Sequence, residues 1–405
     1  MSAAAIRPWL SIVGVGEDGL DGLSPAASRV LAQASFVIGG ARHLALLQPI
    51  AGTAVAWPSP FERGIEIVKA RRGSPTCVVA SGDPFLYGVG ATLASHIPPE
   101  EMICFPAPSS LSLAAARLGW PLQDCEVVSL HGRPLERIVP HLRPNARVLA
   151  LSWDGATPEK LAHLLVARKF EKSRLVVMTA LGGPRESVYD TRACDFEPKS
   201  VDPLNVVAIE VEDAPNSGLY LPLTSGLPDD WFEHDGQITK RAIRAITLSA
   251  LAPWPGAILW DVGAGSGAIG IEWMLAHPRN RAFSIETNLD RAARIRRNAA
   301  SLGTPNLTVV EGDAREVMKN LPSPDAIFVG GGGVTLIDAA WRLLPSKRRF
   351  VANAVTMETQ AALAERQKAL GGELISIAVS YPESVGSYQS WRPATPIVQW
   401  ATLKQ

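Results

Sequence analysis

Ile258-Leu-Trp-Asp-Val-Gly-Ala-Gly-Ser-Gly-Ala-Ile-Gly270 passes from an apolar run through closely spaced glycines into a second apolar run. The pattern predicts a buried strand over 257–262, a glycine turn and the start of a helix, as in nucleotide-binding α/β folds. Gly263, Gly265 and Gly267 allow a tight turn and a close approach of the backbone to a ligand, which a Cβ atom would block. The free N–H groups at the start of the helix would face a negatively charged group.

Two kinds of cofactor fit this turn. Read as Gly265-x-Gly267-x-x-Gly270, it matches the dinucleotide-binding pattern of dehydrogenases, and Glu286 at the end of the next strand would hold a ribose in either case. The acid Asp261 ahead of the glycines and the segment Glu311-Gly-Asp-Ala314 after a third strand favour the second kind. This ordered series resembles the class I S-adenosylmethionine-dependent methyltransferases.

The class I resemblance implies a place for each part of S-adenosylmethionine. The glycine turn would hold the methionine part, Glu286 the ribose hydroxyls, and Asp313-Ala314 would lie beside the adenine. The predicted cofactor-binding residues of this region are Thr239, Gly263, Ala264, Gly265, Ser266, Gly267, Glu286, Asp313 and Ala314.

The composition is that of a globular protein with two domains or more, because 405 residues, 47% of them hydrophobic, can supply several cores. Lys+Arg and Asp+Glu are equal at 39 each, so the net charge favours neither nucleic acid nor a membrane as partner. The four cysteines are widely spaced, which predicts reduced thiols without a disulfide framework or a metal site. The sequence contains no apolar signal core and no run of membrane-spanning length, which predicts a cytoplasmic protein.

The beginning of the chain predicts a separate α/β region. Short apolar runs at about 9–16, 35–39, 55–57 and 76–84 predict strands, and Ser24-Pro25 predicts the start of a helix between the first two. Strands that alternate with helices predict a parallel sheet covered on both faces, with ligands at the carboxyl ends of the strands.

Gly82-Asp-Pro-Phe-Leu-Tyr-Gly88 is a second informative motif. Pro84 fixes its own φ and disfavours a helical conformation at Asp83, so the loop is rigid, and an ordinary turn alone would explain it. Together with Gly14-x-Gly16 and Pro106-Ala-Pro-Ser-Ser110, however, it resembles the tetrapyrrole methylases, in which S-adenosylmethionine lies folded in a cleft between two α/β lobes. That family more often has Pro-Gly before the serines, where this chain has Pro-Ala-Pro.

The tetrapyrrole methylase resemblance implies a second cofactor site and a second lobe. Arg133, at the end of a predicted strand facing the cleft, suits a substrate carboxylate. The lobes are expected at about 1–120 and 121–211, with strands of the second lobe at 125–131, 147–153, 174–180, 187–191 and 205–211. The predicted cofactor-binding residues are Gly14, Gly82, Asp83, Tyr87, Ser109, Ser110 and Leu181.

Turn residues without periodicity predict a linker at 212–227, between a domain at 1–211 and a class I domain at 228–405. A helix carrying Lys240, Arg241 and Arg244 follows the linker, where class I enzymes build the lid over their cofactor. These three residues are predicted anchors of substrate carboxylates, although a solvated basic face would explain them as well.

The last part of the chain contributes further candidates. Gly330-Gly-Gly-Gly333 follows a predicted strand and removes side chains where a flat ligand could approach, and Gly331 is predicted to contact substrate. Strands are expected at 350–354, 373–381 and 396–403, with Tyr388 in the loop between the last two. His234 and Tyr388 are candidate proton donors.

The whole chain therefore pairs two unrelated methyltransferase folds, and this pairing resembles the decarboxylating precorrin methyltransferases of cobalamin biosynthesis. The resemblance implies S-adenosylmethionine at one site per domain, an anionic tetrapyrrole as substrate and a homo-oligomer. It further implies methylation of carbon 5 by the N-terminal half, and methylation of carbon 15 with loss of the ring C acetate carboxyl group by the C-terminal half.

Three alternatives remain open at this point. The substrate could be a cobalt-containing precorrin, or one half could be a non-catalytic scaffold in a methyltransferase for another substrate. A dehydrogenase would also use the glycine turn. A nucleic acid substrate is disfavoured because the chain has no basic run with interleaved aromatic residues.

Overall fold

A computed structural model describes residues 8–197, 200–212 and 220–405. The chain divides into two compact units, Met1–Leu135 with His141–Leu219 and Glu136–Pro140 with Tyr220–Gln405. Residues 213–219 of the predicted linker lie outside the described residues. Short 3-10 helices lie at Gly19–Gly22, Pro99–Glu101, Leu122–Asp124, Leu135–His141, Ala193–Asp195, Asp229–Trp231 and Met318–Asn320.

The first sheet of the N-terminal unit has five parallel strands in the order β3-β2-β4-β1-β5, which confirms the predicted parallel sheet. Leu10 and Ile12 pack on one face of β1, and Val13 and Val15 pack on the other, so helices cover both faces. The strands are β1 Leu10–Val15, β2 Phe36–Gly39, β3 Thr53–Ala56, β4 Thr76–Ser81 and β5 Met102–Phe105. The helices are α1 Pro25–Gln33, α2 Ala41–Leu46, α3 Glu62–Lys69, α4 Val89–Leu93 and α5 Ser110–Leu118.

The second sheet of this unit is mixed, in the order β6-β7-β10-β8-β9. Only β6 and β7 pair in parallel, and the other neighbours pair antiparallel. The strands are β6 Cys125–Ser129, β7 Arg147–Leu151, β8 Arg174–Thr179, β9 Ser187–Arg192 and β10 Asn205–Glu210, and α6 spans Thr157–Ala167. All five predicted strands are present, and β6 ends earlier than expected because the chain turns at Gly132, which has a φ of 64°.

The C-terminal unit contains a seven-stranded sheet in the order β13-β12-β11-β14-β15-β19-β16. Its first five strands run in parallel, and β19 pairs antiparallel with both of its neighbours. The order of the strands reverses between β11 and β14, and ligands of such sheets bind at the carboxyl ends of strands at this point.

The C-terminal unit has nine strands and six α-helices among the described residues. The strands are β11 Ile258–Val262, β12 Arg281–Glu286, β13 Thr308–Glu311, β14 Ala326–Val329, β15 Arg349–Ala354, β16 Glu373–Ile377, β17 Ser380–Val385, β18 Tyr388–Pro393 and β19 Ile397–Leu403. The helices are α7 Arg241–Leu251, α8 Ala268–Leu275, α9 Leu289–Ser301, α10 Ala314–Val317, α11 Gly333–Leu343 and α12 Met357–Leu370.

Strands β17 and β18 form a separate hairpin that the sequence did not predict. The expected strand over 373–381 ends at Ile377, and the expected loop around Tyr388 is wrong because Tyr388 is the first residue of β18. The Tyr388 side chain is 79% exposed. Such exposure does not suit a proton donor in a site that excludes water.

Candidate active sites

The glycine turn after β11 has the backbone conformation that its sequence implies. Gly263, Gly265 and Gly267 have φ values of 74°, 58° and 77°, in the left-handed region that favours glycine. A Cβ atom on Gly265 would lie 2.8 Å from the carbonyl oxygen of Gln237, and one on Gly267 would lie 2.6 Å from the Ile295 side chain. The turn is therefore packed on two sides by backbone and side chain that leave no room for larger residues.

Glu286 lies at the end of β12 directly beside this turn. Its buried carboxylate accepts hydrogen bonds from the backbone N–H of Gly265 at 2.9 Å and from that of Asn288 at 3.0 Å. Because a carboxylate has four acceptor positions, these bonds fix the group and leave positions for ligand hydroxyls. The structure thus brings together two predicted cofactor residues that are 21 positions apart.

Asp261 supports the turn from inside the domain. Its buried carboxylate accepts hydrogen bonds from the Gly270 N–H at 3.1 Å and from the Ser284 hydroxyl at 3.4 Å. Burial, together with the nearby Glu286 charge, raises the pKa of Asp261 to about 7, although the two hydrogen bonds act in the opposite direction and lower it. Asp261 therefore holds the first turn of α8 beside β12.

The raised pKa of Asp261 predicts a pH-dependent stability. Folding takes up a proton at Asp261 between its ordinary pKa of 3.8 and about 7. The stabilisation is complete below the ordinary value and is lost as the pH rises through the folded pKa, by at most about 1.4 kcal/mol per pKa unit. Urea unfolding across this range should show the decline in wild type and a smaller one in Asp261→Asn. The exposed Asp290→Asn should behave like wild type, and an unchanged slope in Asp261→Asn would contradict the assignment.

Asp313 and Ala314 follow β13 as predicted. The Asp313 carboxylate accepts a hydrogen bond from the Arg315 N–H at 2.9 Å and pairs with the Arg315 guanidinium, which lowers the pKa of Asp313 to about 2. Ala314 is buried. Asp313 is therefore ionised at neutral pH and directed towards Arg315, a partner that the sequence analysis did not consider.

Arg244 is withdrawn from the predicted substrate anchors, because its side chain is fully buried and 0% exposed. Its Nε donates to Glu272 at 2.5 Å, and Phe232 lies 4.8 Å below the guanidinium. The other N–H groups donate to the Asp229 carboxylate and to the carbonyl oxygens of Thr239 and Leu227. Arg244 thus holds the segment that enters the C-terminal domain and has no surface for a substrate.

Lys240 and Arg241 are exposed, unlike Arg244. The Lys240 Nζ lies 3.9 Å from the Asp229 carboxylate, too far for a hydrogen bond, and Arg241 is the first residue of α7. Both remain predicted carboxylate anchors. His234 is half-buried, and its Nδ1 accepts a hydrogen bond from the Gly236 N–H at 3.1 Å, which places a proton of the neutral ring on Nε2.

The segment from Leu227 to Lys240 crosses the glycine turn. The Gln237 carbonyl oxygen packs against Gly265, at the position where a Cβ atom would clash. Asn298, which is buried, accepts from the Glu233 N–H at 2.8 Å and donates to the Ser266 carbonyl at 2.9 Å. Asn298 could not be recognised as a site residue from the sequence, because an amide in a helix is normally solvent-exposed.

The N-terminal unit contains a second closely packed glycine site. A Cβ atom on Gly14 would lie 1.9 Å from the Gly82 carbonyl oxygen and 2.6 Å from the Ala107 nitrogen. Gly82 has a φ of 50°, donates to the Val15 carbonyl at 3.0 Å and accepts from the Ala107 N–H at 3.1 Å. The ends of β1, β4 and β5 are therefore joined by backbone hydrogen bonds at this point.

A cleft of about 590 Å³ lies beside these loops, and Asp83, Tyr87 and Ser109 line it. Ser109 caps α5 through a 3.1 Å hydrogen bond from the Ser112 N–H. Leu181 packs instead in the buried cluster around Leu111. Ser110, the first residue of α5, and Gly14 in β1 are not among the residues that line the cleft.

Arg133 contacts a predicted cofactor residue. Its guanidinium lies 5.3 Å from the centre of the Tyr87 ring, in the geometry of a cation–π contact. Tyr87 itself has a φ of 54°, an uncommon value for a bulky residue. The contact links the turn after β6 to the Gly-Asp-Pro loop, and Arg133 remains a predicted carboxylate anchor.

Comparison with known proteins identifies the family. Residues 10–196 match the family model of the tetrapyrrole (corrin/porphyrin) methylases, and residues 230–404 match that of the precorrin methyltransferase domain. A protein of Sinorhizobium sp named precorrin-6Y C(5,15)-methyltransferase (decarboxylating) is 53% identical over 404 residues, which are 99% of this chain and 98% of that protein. The chain belongs to the precorrin-6Y C(5,15)-methyltransferase (decarboxylating) family.

Membership of the precorrin-6Y C(5,15)-methyltransferase family makes this chain an S-adenosylmethionine-dependent methyltransferase with a tetrapyrrole methylase fold followed by a class I fold. Two shorter relatives cover less than half of it. A probable cobalt-precorrin-6B C(15)-methyltransferase (decarboxylating) of Pyrobaculum calidifontis is 33% identical over 183 residues, 43% of this chain and 93% of that protein. A cobalt-precorrin-7 C(5)-methyltransferase of Salmonella typhimurium is 30% identical over 183 residues, 44% of this chain and 89% of that protein.

The residues around the class I turn fit the cofactor of the precorrin-6Y C(5,15)-methyltransferase family. The Ser266 hydroxyl is buried, with the residue 1% exposed, and has no hydrogen-bond partner among the described residues. A Cβ atom on Gly331 would meet nothing within 4 Å, so the loop after β14 leaves open space beside Gly263. A buried hydroxyl without a partner, open space near Gly263 and the Glu286 carboxylate bound to Gly265 together suit a ligand that carries several polar groups.

The described ranges contain neither a cluster of metal ligands nor a membrane-spanning helix. No cluster of three or more His, Cys, Asp or Glu side chains there is arranged to hold a metal ion. No helix there is both long enough and apolar enough to cross a membrane.

Sequence analysis missed one group of residues at the carboxyl edge of the first sheet. Glu17, Arg42, His43, Ser81 and Arg185 contact one another there. They come from four separate segments, and Arg185 is 168 positions from Glu17. The local signal for this group is Arg42-His43, which lies shortly after β2 in Gly39-Gly-Ala-Arg-His43.

Proposed function

We propose that this chain methylates carbons 5 and 15 of precorrin-6Y and removes the carboxyl group of the ring C acetate. The proposal is carried by one observation, the pairing of two methyltransferase domains in a chain that aligns over 99% of its length with a relative of that name. The full-length relative is named for precorrin rather than cobalt-precorrin, which favours the metal-free substrate.

Each domain binds one S-adenosylmethionine. In the C-terminal domain the support comes from the left-handed glycines, the adjoining Glu286 carboxylate and the unpaired Ser266 hydroxyl. In the N-terminal domain it comes from the 590 Å³ cleft that Asp83, Tyr87 and Ser109 line. The domains extend over about 1–211 and 228–405, and the enzyme is a homo-oligomer.

The N-terminal domain methylates carbon 5, and the C-terminal domain methylates carbon 15 and carries out the decarboxylation. Support comes from two relatives of less than half this length, one named for C(15) methylation with decarboxylation and one for C(5) methylation. One chain that joins both domains would therefore combine activities that other proteins carry separately.

S-adenosylmethionine supplies an activated sulfonium methyl group, so the protein has little covalent chemistry to perform. The meso carbon of a reduced tetrapyrrole is enamine-like, and holding it in line with the methyl group in a dry cleft accounts for much of the rate. Arg133, Lys240 and Arg241 bind carboxylates of the ring and orient it. His234 donates a proton during decarboxylation; the hydrogen bond that its Nδ1 accepts from Gly236 supports this role, because it leaves the proton of the neutral ring on Nε2.

Product analysis tests the proposal. Full-length protein incubated with precorrin-6Y and S-adenosylmethionine should yield a product with two added methyl groups and one lost carbon dioxide by mass spectrometry. Glu286→Gln should add only the methyl of the N-terminal domain and retain the carboxyl group, because a neutral amide holds the ribose less well than a carboxylate. A wild-type product with a single methyl group, or a Glu286→Gln product that has lost carbon dioxide at the wild-type rate, would contradict the division of labour.

A further inference from the structure

An ion-pair cluster lies at the carboxyl ends of β1, β2 and β4, outside both proposed cofactor sites. Glu17 follows β1, Arg42 and His43 lie in α2 after β2, and Ser81 ends β4. Arg185 reaches the cluster from the turn between β8 and β9. The cluster therefore combines residues from both sheets of the N-terminal unit.

Glu17 holds two arginines side by side. Its side chain is 8% exposed, and it pairs with Arg42 and, at 3.2 Å, with Arg185, which also pairs with Asp202. The two guanidinium groups remain accessible, at 37% exposure for Arg42 and 59% for Arg185. Both keep N–H donors that have no partner among the described residues.

His43 fixes the orientation of Arg42 without adding charge. Its Nε2 lies 2.9 Å from an Arg42 nitrogen and 2.7 Å from the Ser81 hydroxyl. Since a guanidinium can only donate, Nε2 must accept, and the ring proton lies on Nδ1. Burial and the neighbouring Arg42 charge lower the pKa of His43 to about 4, so the ring is neutral at physiological pH.

The cluster and the cofactor cleft share one edge of the sheet. Ser81 directly precedes Gly82-Asp83, and Asp83 lines the cleft. The cleft loops follow β4 and β5, and the cluster residues follow β2, β4 and β1. A ligand bound beside the cofactor along this edge would therefore pass over Arg42 and Arg185.

We propose that Arg42 and Arg185 together bind a side-chain carboxylate of the tetrapyrrole during methyl transfer by the N-terminal domain. The inference rests on the proposed function and adds a specific anchor to it. Glu17 and Asp202 balance the charges of the two guanidinium groups, and the remaining N–H groups on the exposed side can donate charge-assisted hydrogen bonds to a further carboxylate. Glu17 and His43 are positioning residues that hold the two arginines ready, while Arg29 on α1 is exposed and forms no ion pair among the described residues.

The test measures carbon 5 methylation by the full-length chain in Arg185→Gln and Arg42→Gln, with Arg29→Gln as the matched control. Loss of one charge-assisted hydrogen bond should raise the KM for the tetrapyrrole about ten- to a hundred-fold in the first two variants. The affinity for S-adenosylmethionine, measured by calorimetry, should stay at the wild-type value, as should carbon 15 methylation and the properties of Arg29→Gln. A KM shift without loss of cofactor affinity separates an anchor from a merely structural role.

Two further comparisons decide between explanations. Esterifying the substrate carboxyl groups should reduce the KM difference between wild type and Arg185→Gln. If Arg42→Gln lowers the melting temperature, its KM is not interpretable, and the KM of Arg185→Gln decides, because Arg185 is the more exposed of the two residues. A wild-type KM in Arg185→Gln would overturn the anchor and leave the proposed function standing, whereas a wild-type enzyme that adds no methyl group at carbon 5 would overturn both.

Discussion

Gly14→Ala is expected to abolish cofactor binding and methyl transfer by the N-terminal domain. The added Cβ would lie 1.9 Å from the Gly82 carbonyl oxygen and 2.6 Å from the Ala107 nitrogen. Both are backbone atoms, so the clash cannot be relieved by a rotamer change, and it must separate the hydrogen-bonded pair Gly82–Ala107. These loops support the cleft that Asp83 and Ser109 line.

Calorimetry of the full-length variant should show one equivalent of S-adenosylmethionine bound where wild type binds two. Mass spectrometry of the product should show the carbon 15 methyl group and the lost carbon dioxide, with no methyl group at carbon 5. Ser11→Ala on the same strand removes an oxygen without adding bulk and should retain both sites. Two equivalents bound by Gly14→Ala would show that the cleft does not hold the cofactor.

Arg244→Ala is expected to destabilise the C-terminal domain by about 3 to 5 kcal/mol. The Glu272 carboxylate would lose the charged partner that it has among the described residues while staying almost fully buried, and an unpaired buried charge is costly. The acceptors at Asp229, Thr239 and Leu227 would lose their donor as well.

Urea unfolding of the full-length chain, followed by a probe in the C-terminal domain, measures this loss as a lower free energy of unfolding. Arg241→Ala, one turn earlier on α7 and exposed, is the matched control and should cost less than about 0.5 kcal/mol. A wild-type free energy of unfolding in Arg244→Ala, combined with a higher KM for the tetrapyrrole, would restore Arg244 as a substrate anchor.

The local parts of the fold were predictable from the sequence. The strand before the glycine turn, its left-handed glycines and the helix after it follow from apolar runs and glycine spacing. The proximity of Glu286 to the glycine turn follows too, because carboxyl ends of neighbouring parallel strands meet at one edge. The hairpin of β17 and β18 was not predictable in the same way, since both of its faces are exposed and its sequence has no alternation between apolar and polar residues.

Charged residues that act through distant partners could not be assigned from the sequence. Arg244 stands near Lys240 and Arg241 and so has the pattern of a basic face, but Glu272 on another helix, 28 positions away, makes it a buried residue. Glu17, Arg42 and Arg185 likewise come together only in the folded chain. A pattern of charge shows which residues can pair, whereas their burial depends on the tertiary fold.

The bonds to Glu272 also determine where the chain can be divided into two independently encoded proteins. Glu272 accepts hydrogen bonds from the N–H groups of Gly226 and Leu227, and Leu227 is itself buried. A C-terminal fragment that begins at 228 would lack both donors and would expose the carboxylate of Glu272, a buried acid, to water. Leu221 is also buried. We therefore expect two stable proteins only when the chain is divided before Leu221, so that the residues from Leu221 to Leu227 remain part of the C-terminal half.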